Sequence, residues 1–172
     1  MAVTVLQTPA GLLRMDELST AEPRRRDHAF RDAGFGLLLA AGVLCNDAVV
    51  PHDHSEPVGP LPMGDPTEVA LQAAAMQFGF IKRQLQAALP RIAELPFSSE
   101  RKRMTTVHVP SRETNTIPPE IAACLERDGA SSIAFVKGSA ESLLALSTSA
   151  WVNGNAETLS DSWRERLLSD HN

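Results

Sequence analysis

Three short segments of this sequence carry side chains that suit the binding of a ligand. They are residues 64–68 (GDPTE), 96–104 (PFSSERKRM) and 135–138 (FVKG). Phe97 is expected in a loop between two strands, where a large apolar ring needs a partner. Lys102 and Lys137 place two ammonium groups at the ends of predicted strands. Gly138 lets a flat ligand approach the backbone because it has no Cβ, and Glu68 adds a carboxylate acceptor.

An aromatic face, two cations and a carboxylate together suit a nucleotide. The ring of Phe97 would stack on the base, the lysines would meet the phosphate side, and Glu68 would accept a hydrogen bond from an exocyclic amine. Each segment also has a simpler explanation. The first is an ordinary capped helix start, the second a solvated basic entry to a strand, and the third a strand that ends at Lys-Gly. The residue types alone leave these alternatives open.

The sequence lacks the motifs that most directly indicate catalysis. It has neither the phosphate loop G-x-x-x-x-G-K-[ST] nor G-x-G-x-x-G, and it has no G-x-S-x-G nucleophile elbow. No histidine lies in a pattern that suggests a catalytic triad. His52 and His54 have no third strong ligand nearby, so we interpret them as solvated rather than metal-binding. This pattern favours binding over bond cleavage.

The composition is that of one ordinary globular domain. Of 172 residues, 43% are hydrophobic and 22% are charged, which suits a single domain. A formal net charge of −5 argues against general affinity for nucleic acid or anionic lipid. Two cysteines, Cys45 and Cys124, are too few for a disulfide framework or a zinc site. The most apolar stretch, residues 33–45, is shorter than the roughly 20 residues that a membrane span needs.

The clearest local structure surrounds the first segment. Asp65 is a typical helix N-cap and Pro66 occupies the first helical position. Glu68 occupies the third helical position, as the glutamate of a capping box does. This helix is predicted to end at Gly79. Its start would hold Glu68 in the first turn.

The remaining elements alternate strands and helices. Strand patterns occupy residues 1–7, 91–95, 103–109 and a buried 132–136; helical patterns occupy 30–45, 81–89, 118–127, 139–146 and 160–168. Turns or loops are expected at 9–11, 51–64, 96–101, 110–117 and Asn153-Gly154. Strand pairs that lie close in sequence, separated by helices, predict an α+β fold with a largely antiparallel sheet.

The three segments also resemble those of a known family. GDPTEVAL, PFSSERKRM and FVKGSAE, in this order and at about this spacing, are similar to the nucleotide-binding domain of cation-transporting P-type ATPases. The likeness is to the calcium-, magnesium- and sodium-pump branches. Heavy-metal pumps are less similar, because this sequence lacks their His-Pro nucleotide motif. LLLAAGVLCNDAV and LSDSWRERLL resemble other parts of the same domain, so the likeness covers about residues 30–170.

The resemblance implies a fold, a cofactor and partners. The fold is a twisted, mainly antiparallel sheet flanked by helices on both sides, with residues 1–172 as a single domain and 1–29 as its N-terminal strand and loop. The cofactor is ATP, and Mg²⁺ would arrive as MgATP because no carboxylate cluster suggests a preformed metal site. The partners are ATP or ADP and the phosphorylation domain and membrane helices of a parent pump, without nucleic acid or direct membrane contact. The chain would be a cytoplasmic domain of an integral membrane protein.

The resemblance also implies roles for individual residues. Phe97 would stack on adenine and Glu68 would line the base pocket. Lys137 would lie deep beside the ring, with Gly138 making room. Lys102 would face the nucleotide from the Phe97 strand. Further contacts are implied for Thr67 and Met104.

Two functions from different classes follow. The preferred one is an ATP-binding domain that grips the adenine so that a separate domain receives the γ-phosphate. The phosphorylated aspartate of the Asp-Lys-Thr-Gly-Thr motif is absent from this sequence, and Ser99 replaces an arginine that reaches the phosphates in many relatives. The alternative is a non-enzymatic interaction module that uses residues 24–26 (RRR) and 101–103 (RKR) to bind an acidic partner or RNA. The negative net charge and the single aromatic near the basic run argue against it, since single-strand binders usually offer several stacking rings.

Overall fold

The computed structural model describes residues 1–9, 11–20, 33–51, 61–112, 117–152 and 154–169. The helices are α1 (Met15–Thr20), α2 (Ala33–Leu44), α3 (Pro66–Met76), α4 (Lys82–Ala88), α5 (Pro119–Asp128), α6 (Ala140–Leu146) and α7 (Asp161–Ser169). The strands are β1 (Val5–Thr8), β2 (Gly11–Arg14), β3 (Arg91–Ser98), β4 (Arg103–His108), β5 (Ile133–Gly138), β6 (Ser149–Val152) and β7 (Asn155–Thr158).

All strand pairs in the described part of the chain are antiparallel. β3, β4 and β5 form a three-stranded sheet in that order, and β1–β2 and β6–β7 are separate hairpins. Helices alternate with these strands along the chain. The predicted α+β class with an antiparallel sheet is therefore confirmed.

Helix α2 packs at the centre because its sequence is apolar on every side. Its buried side chains include Phe35, Leu39, Val43 and Leu44. It contacts α3, α4, α5, β1 and β5. Its glycines allow close approach: a Cβ on Gly36 would lie 2.8 Å from the Glu120 carboxylate of α5. No helix of the described residues is long and apolar enough to cross a membrane.

The three-stranded sheet buries one face against the helices. Met104, Thr106 and His108, alternate residues of β4, are at most 2% exposed. Phe135 of β5 lies opposite Thr106 and is also buried. Leu95 belongs to the other face and is 57% exposed. The two-residue period predicted for β4 is thus that of a half-buried strand.

Strand β3 extends further than the sequence predicts. The strand predicted at 91–95 continues through Pro96 and Phe97 to Ser98, so the prediction that Phe97 lies in a loop is wrong. β3 pairs only with β4 among the described strands. A proline is tolerated on an edge strand because its missing N–H group need not remove a ladder hydrogen bond.

Strand β5 is less buried than the apolar run 132–136 suggests. Phe135 is buried, but its neighbours Ala134 and Val136 are exposed. Among the described residues, the helices cover the face to which Phe135 belongs and leave Ala134 and Val136 exposed.

The other boundaries differ from prediction in small ways. Helix α3 ends at Met76, and Gly79 follows in the next turn with φ +82°. β1 begins at Val5, and β2 and α1 were not predicted. The strands β6 and β7 were also not predicted. Gly154 has φ +83° in the turn between them. Asn153 lies outside the described residues. So do Ala10, residues 52–60 with His52 and His54, and residues 113–116.

Candidate nucleotide-binding site

Helix α3 begins at a side-chain cap, as predicted. The Asp65 Oδ1 atom accepts hydrogen bonds from the backbone N–H groups of Thr67 at 2.8 Å and Glu68 at 3.3 Å. The Thr67 N–H group is the main reason that the pKa of Asp65 is lowered, because such hydrogen bonds favour the charged carboxylate. The cap fixes the first turn of α3 and with it the position of Glu68.

Glu68 joins two distant parts of the chain instead of closing a capping box. Its Oε1 atom forms an ion pair with Nζ of Lys137 in β5. Its Oε2 atom accepts hydrogen bonds from the N–H groups of Asp47 and Ala48, both at 3.0 Å. The Glu68 and Lys137 side chains are 13% and 25% exposed. A carboxylate has about four acceptor positions, and these contacts use three of them.

Phe97, Met104 and Lys137 lie in one row across the sheet. Met104 of β4 pairs directly with Lys137 of β5. On the other side of β4, Leu95 pairs with Thr105 and Ser98 with Arg103, so Pro96 and Phe97 together oppose Met104. Two residues against one form a β-bulge, which redirects a side chain. Neighbouring strands lie about 4.8 Å apart, which places Phe97 and Lys137 about 10 Å apart across the sheet.

The residues of this row differ in how much surface they offer a ligand. Phe97 is 61% exposed, whereas Met104 is 2% exposed and belongs to the hydrophobic core. Met104 therefore packs into the core and gives a ligand almost no surface. Thr67 is exposed at the start of α3, with its hydroxyl 3.7 Å from the sulfur of Met1.

Lys102 and Gly138 meet at one end of the sheet. Lys102 closes the turn between β3 and β4 with φ +52°, and its N–H group donates to the Ser98 carbonyl at 2.7 Å. Its own carbonyl accepts from Ser139 N–H at 3.0 Å. A Cβ on Gly138 would overlap the Lys102 carbonyl and lie 2.7 Å from Cβ of Arg103. The sequence suggested that Gly138 makes room for a ligand; in this structure the space is taken by the chain's own turn.

The basic residues beside the site are partly occupied within the chain. The Arg101 guanidinium donates to the Pro96 carbonyl. Arg103 donates to the Arg101 carbonyl at 3.1 Å and to the Ser142 hydroxyl at 3.4 Å. Residues 24–26 lie outside the described residues. Within residues 101–103, Lys102 is exposed, whereas Arg101 and Arg103 are half-buried.

Asn46 is a structural centre of the site that the residue chemistry alone did not identify. It is fully buried, and its Nδ2 atom donates to the carbonyls of Gly42 and Glu68, both at 2.9 Å. Its Oδ1 atom accepts from Ala48 N–H and from Gln72, also at 2.9 Å. The signal in the sequence was a polar residue directly after a strongly apolar helix. A buried side chain with all its hydrogen bonds satisfied fixes the segment that holds Glu68.

Two cavities among the described residues have linings that do not include the row. One, of about 420 Å³, is lined by polar side chains that include Asn46, Lys82 and Arg91. The other, of about 670 Å³, lies between α4 and α5 and is mostly apolar. Neither lining includes Phe97 or Lys137. Across the described ranges, no three His, Cys, Asp or Glu side chains cluster as metal ligands.

Comparison with known proteins identifies relatives over most of the chain. The family model of the P-type ATPase cytoplasmic domain N matches residues 35–172. The chain is 33% identical over 132 residues to calcium-transporting ATPase 1 of Bacillus cereus, which covers 77% of this chain and 12% of that protein. It is 33% identical over 138 residues to the human calcium-transporting ATPase type 2C member 1, covering 80% of this chain and 12% of the relative. A 72-residue stretch is 47% identical to calcium-transporting ATPase 1 of Lactococcus lactis, covering 42% of this chain and 8% of that protein.

The matched region contains the elements that build the site. Residues 35–172 include the 46–48 segment, the start of α3 and the three-stranded sheet. The chain spans about an eighth or less of the length of these relatives, so the match concerns this domain. By the extent of the family match and the identity to these pumps, the chain belongs to the family of the P-type ATPase cytoplasmic domain N.

Proposed function

We propose that this chain binds ATP through its adenine at the row formed by Phe97, Met104 and Lys137. The observation that carries the proposal is the bulge in β3. It places Phe97, which is 61% exposed, in the same row as Lys137, and Glu68 already holds the ammonium group of Lys137. A flat base fits between an aromatic ring and a fixed polar pair about two strand spacings away.

Phe97, Lys137 and the residues around them then have distinct parts in binding. The Phe97 ring stacks on adenine, a contact that contributes about 1–3 kcal/mol. Lys137 lies beside the base, and the remaining acceptor position of Glu68 takes a hydrogen bond from the exocyclic amine. The exposed Lys102 ammonium at the adjacent turn faces the phosphates, which bring Mg²⁺ with them. Gly138 keeps that turn close to β5, and Thr67 adds a contact at the start of α3.

In the proposed reaction this domain holds the nucleotide and another domain receives the γ-phosphate. Phosphoryl transfer depends on positioning and on neutralising charge. The residues of the row supply the grip on the base and no nucleophile. The names of the relatives specify cation transport. We include that activity in the same proposal, as the activity of a larger pump to which this domain would belong.

Titration of the chain with ATP, ADP and AMP tests the proposal. Because the assigned contacts are mostly to the base, all three should bind with similar dissociation constants, on the order of 0.1–1 mM. Chemical-shift changes should centre on the row. Binding should change little between low and high salt, whereas an RNA-binding module would lose affinity steeply. No binding of AMP at millimolar concentration, or sustained phosphate release by the pure chain, would contradict the proposal.

A further inference from the structure

The peptide group between Asn46 and Asp47 lies between opposite charges. Its carbonyl, that of Asn46, accepts hydrogen bonds from Nζ of Lys82 at 2.7 Å and from Arg91 at 3.1 Å. Its N–H group, that of Asp47, donates to Oε2 of Glu68 at 3.0 Å. Cations on the oxygen and an anion on the N–H polarise the group in the same direction, so each bond strengthens the other.

Lys82 also holds the next residue of the same segment. Its Nζ atom donates to the Ala48 carbonyl at 2.7 Å, which Gln72 shares. The Ala48 N–H group donates to the same Oε2 atom of Glu68 at 3.0 Å. The Lys82 ammonium group therefore holds the carbonyls of Asn46 and Ala48. The N–H groups of Asp47 and Ala48, in the same segment, both donate to Glu68. Arg91 contacts only the first of these carbonyls and also pairs with Asp47 and Glu94.

The place of Lys82 in the fold suits an internal role better than an external one. It is the first residue of α4, and its side chain is partly buried. Burial lowers its pKa, and the two carbonyls replace the water that the ammonium group has lost. The adjoining cavity is poorly suited to bind an external anion, because Lys82 and Arg91 already donate hydrogen bonds within the chain.

We propose that Lys82 is a positioning residue for the nucleotide site. It holds the Asn46 and Ala48 carbonyls, which aims the Asp47 and Ala48 N–H groups at Glu68. Glu68, held at Oε2, then presents Oε1 to Lys137. The effect of Lys82 on the nucleotide rests on the proposed function, whereas its effect on Lys137 does not.

A set of five proteins tests this inference: wild type, Lys82→Met, Arg83→Met, Glu68→Gln and the double variant of Lys82→Met with Glu68→Gln. Arg83→Met is the matched control, because it removes a positive charge from the neighbouring, exposed position of α4. AMP affinity should fall about 3- to 30-fold in Lys82→Met and stay unchanged in Arg83→Met. In the Glu68→Gln background, Lys82→Met should add little, because the two residues act in series.

A readout without nucleotide separates this inference from the proposed function. In wild type, the ion pair should hold the Lys137 side chain, giving its two Hε protons distinct NMR shifts. In Lys82→Met these shifts should merge, and in Arg83→Met they should stay distinct. If wild type binds no AMP but the shifts merge, the proposed function fails and the positioning role stands.

The inference is overturned by unchanged Lys137 signals in Lys82→Met. It is equally overturned if that variant weakens AMP binding by the same factor with and without Glu68. A purely structural role would lower the melting temperature in both backgrounds and leave the Lys137 signals at low temperature as in wild type. Should Lys82→Met not fold, Lys82→Gln, which keeps one donor group, takes its place in every comparison.

Discussion

The carboxylate of Glu68 and the ammonium group of Lys137, 69 residues apart in the chain, form an ion pair between the start of α3 and the end of β5. Helix α3 and strand β5 share no backbone hydrogen bond that would fix their relative positions. The ion pair fixes Glu68 relative to the sheet, and the N–H groups of Asp47 and Ala48 fix it relative to the segment after α2. Removing either partner leaves a partly buried charge without its counterion, which is costly.

Phe97→Ala should weaken nucleotide binding and leave the fold intact. Loss of a stacking contact of about 1–3 kcal/mol raises the dissociation constant about 5- to 150-fold. Because Phe97 is 61% exposed, its truncation should lack the cost of about 3–5 kcal/mol that follows when a buried phenylalanine is removed. Thermal melting and AMP titration on the same protein measure both effects.

Leu95→Ala is the matched control for this variant. Leu95 lies on the same strand and is 57% exposed, but it pairs with Thr105 on the open face. It should therefore bind AMP like wild type. Equal loss of binding in the two variants would mean that the stacking role assigned to Phe97 is wrong.

Chemical labelling of amines should distinguish the three lysines of the chain, Lys82, Lys102 and Lys137. A bound nucleotide should protect Lys137 and Lys102, because both lie at the proposed site. Lys82 should label slowly with or without nucleotide, because its amine is partly buried on two carbonyls. Peptide mass spectrometry after a short exposure to an amine reagent gives the three rates. Protection of Lys82 alone, or of no lysine, would contradict the assignment of the site.

Local patterns in the sequence predicted most of the elements that build this site. The Asp65 cap, the helices around α2 and the pairing of strands near in sequence follow from nearest-neighbour chemistry. The contact between Glu68 and Lys137 follows from no spacing rule, since it depends on how α3 packs against the sheet. The likeness to a known family placed both residues at one site, and the structure brings them together.

The errors at the site have one cause: tertiary contacts altered what local patterns indicated. Pro96 suggested the end of a strand, but the edge position of β3 tolerates it. Glu68 suggested a capping box, but the N–H groups of Asp47 and Ala48 compete for its carboxylate. No sequence pattern indicates the role of Lys82, because it is a single lysine in a short helix. Its role depends on the carbonyls of a segment 34 to 36 residues away.

Gly138→Ala should destabilise the fold by about 1–3 kcal/mol, as overpacked sites do. The added Cβ would overlap the Lys102 carbonyl and crowd Arg103, pushing β4 and β5 apart at the site. Nucleotide binding should weaken in parallel because Lys102 moves with its turn. Gly11→Ala is the control, since nothing lies within 4 Å of a Cβ there; it should change stability by less than about 0.5 kcal/mol. Denaturant titration gives both values, and equal stability of the two variants would refute the packing argument.

The stability of the domain should fall with acid because of His108. This side chain is fully buried on the inner face of the sheet. Its Nδ1 atom lies 2.8 Å from the Leu89 carbonyl, which can only accept, so Nδ1 carries the proton; Nε2 then accepts from the Thr106 hydroxyl at 3.0 Å. Burial lowers the pKa of His108 below its ordinary value of 6.5, with the positive charge of Arg91 acting in the same direction.

The direction of the effect follows from which state binds the proton. Around and below pH 6.5 the unfolded chain protonates this histidine more readily than the folded one, so acid favours unfolding. The contribution of His108 is therefore complete above pH 6.5 and is lost as pH falls through that value towards the lower folded-state pKa. The urea midpoint of wild type should decrease between pH 7.5 and 5.5, a window above the ordinary pKa values of Asp and Glu. In His108→Gln, which keeps a donor and an acceptor but does not titrate, the decrease should be smaller. An equal decrease in both proteins would assign the acid sensitivity to other groups.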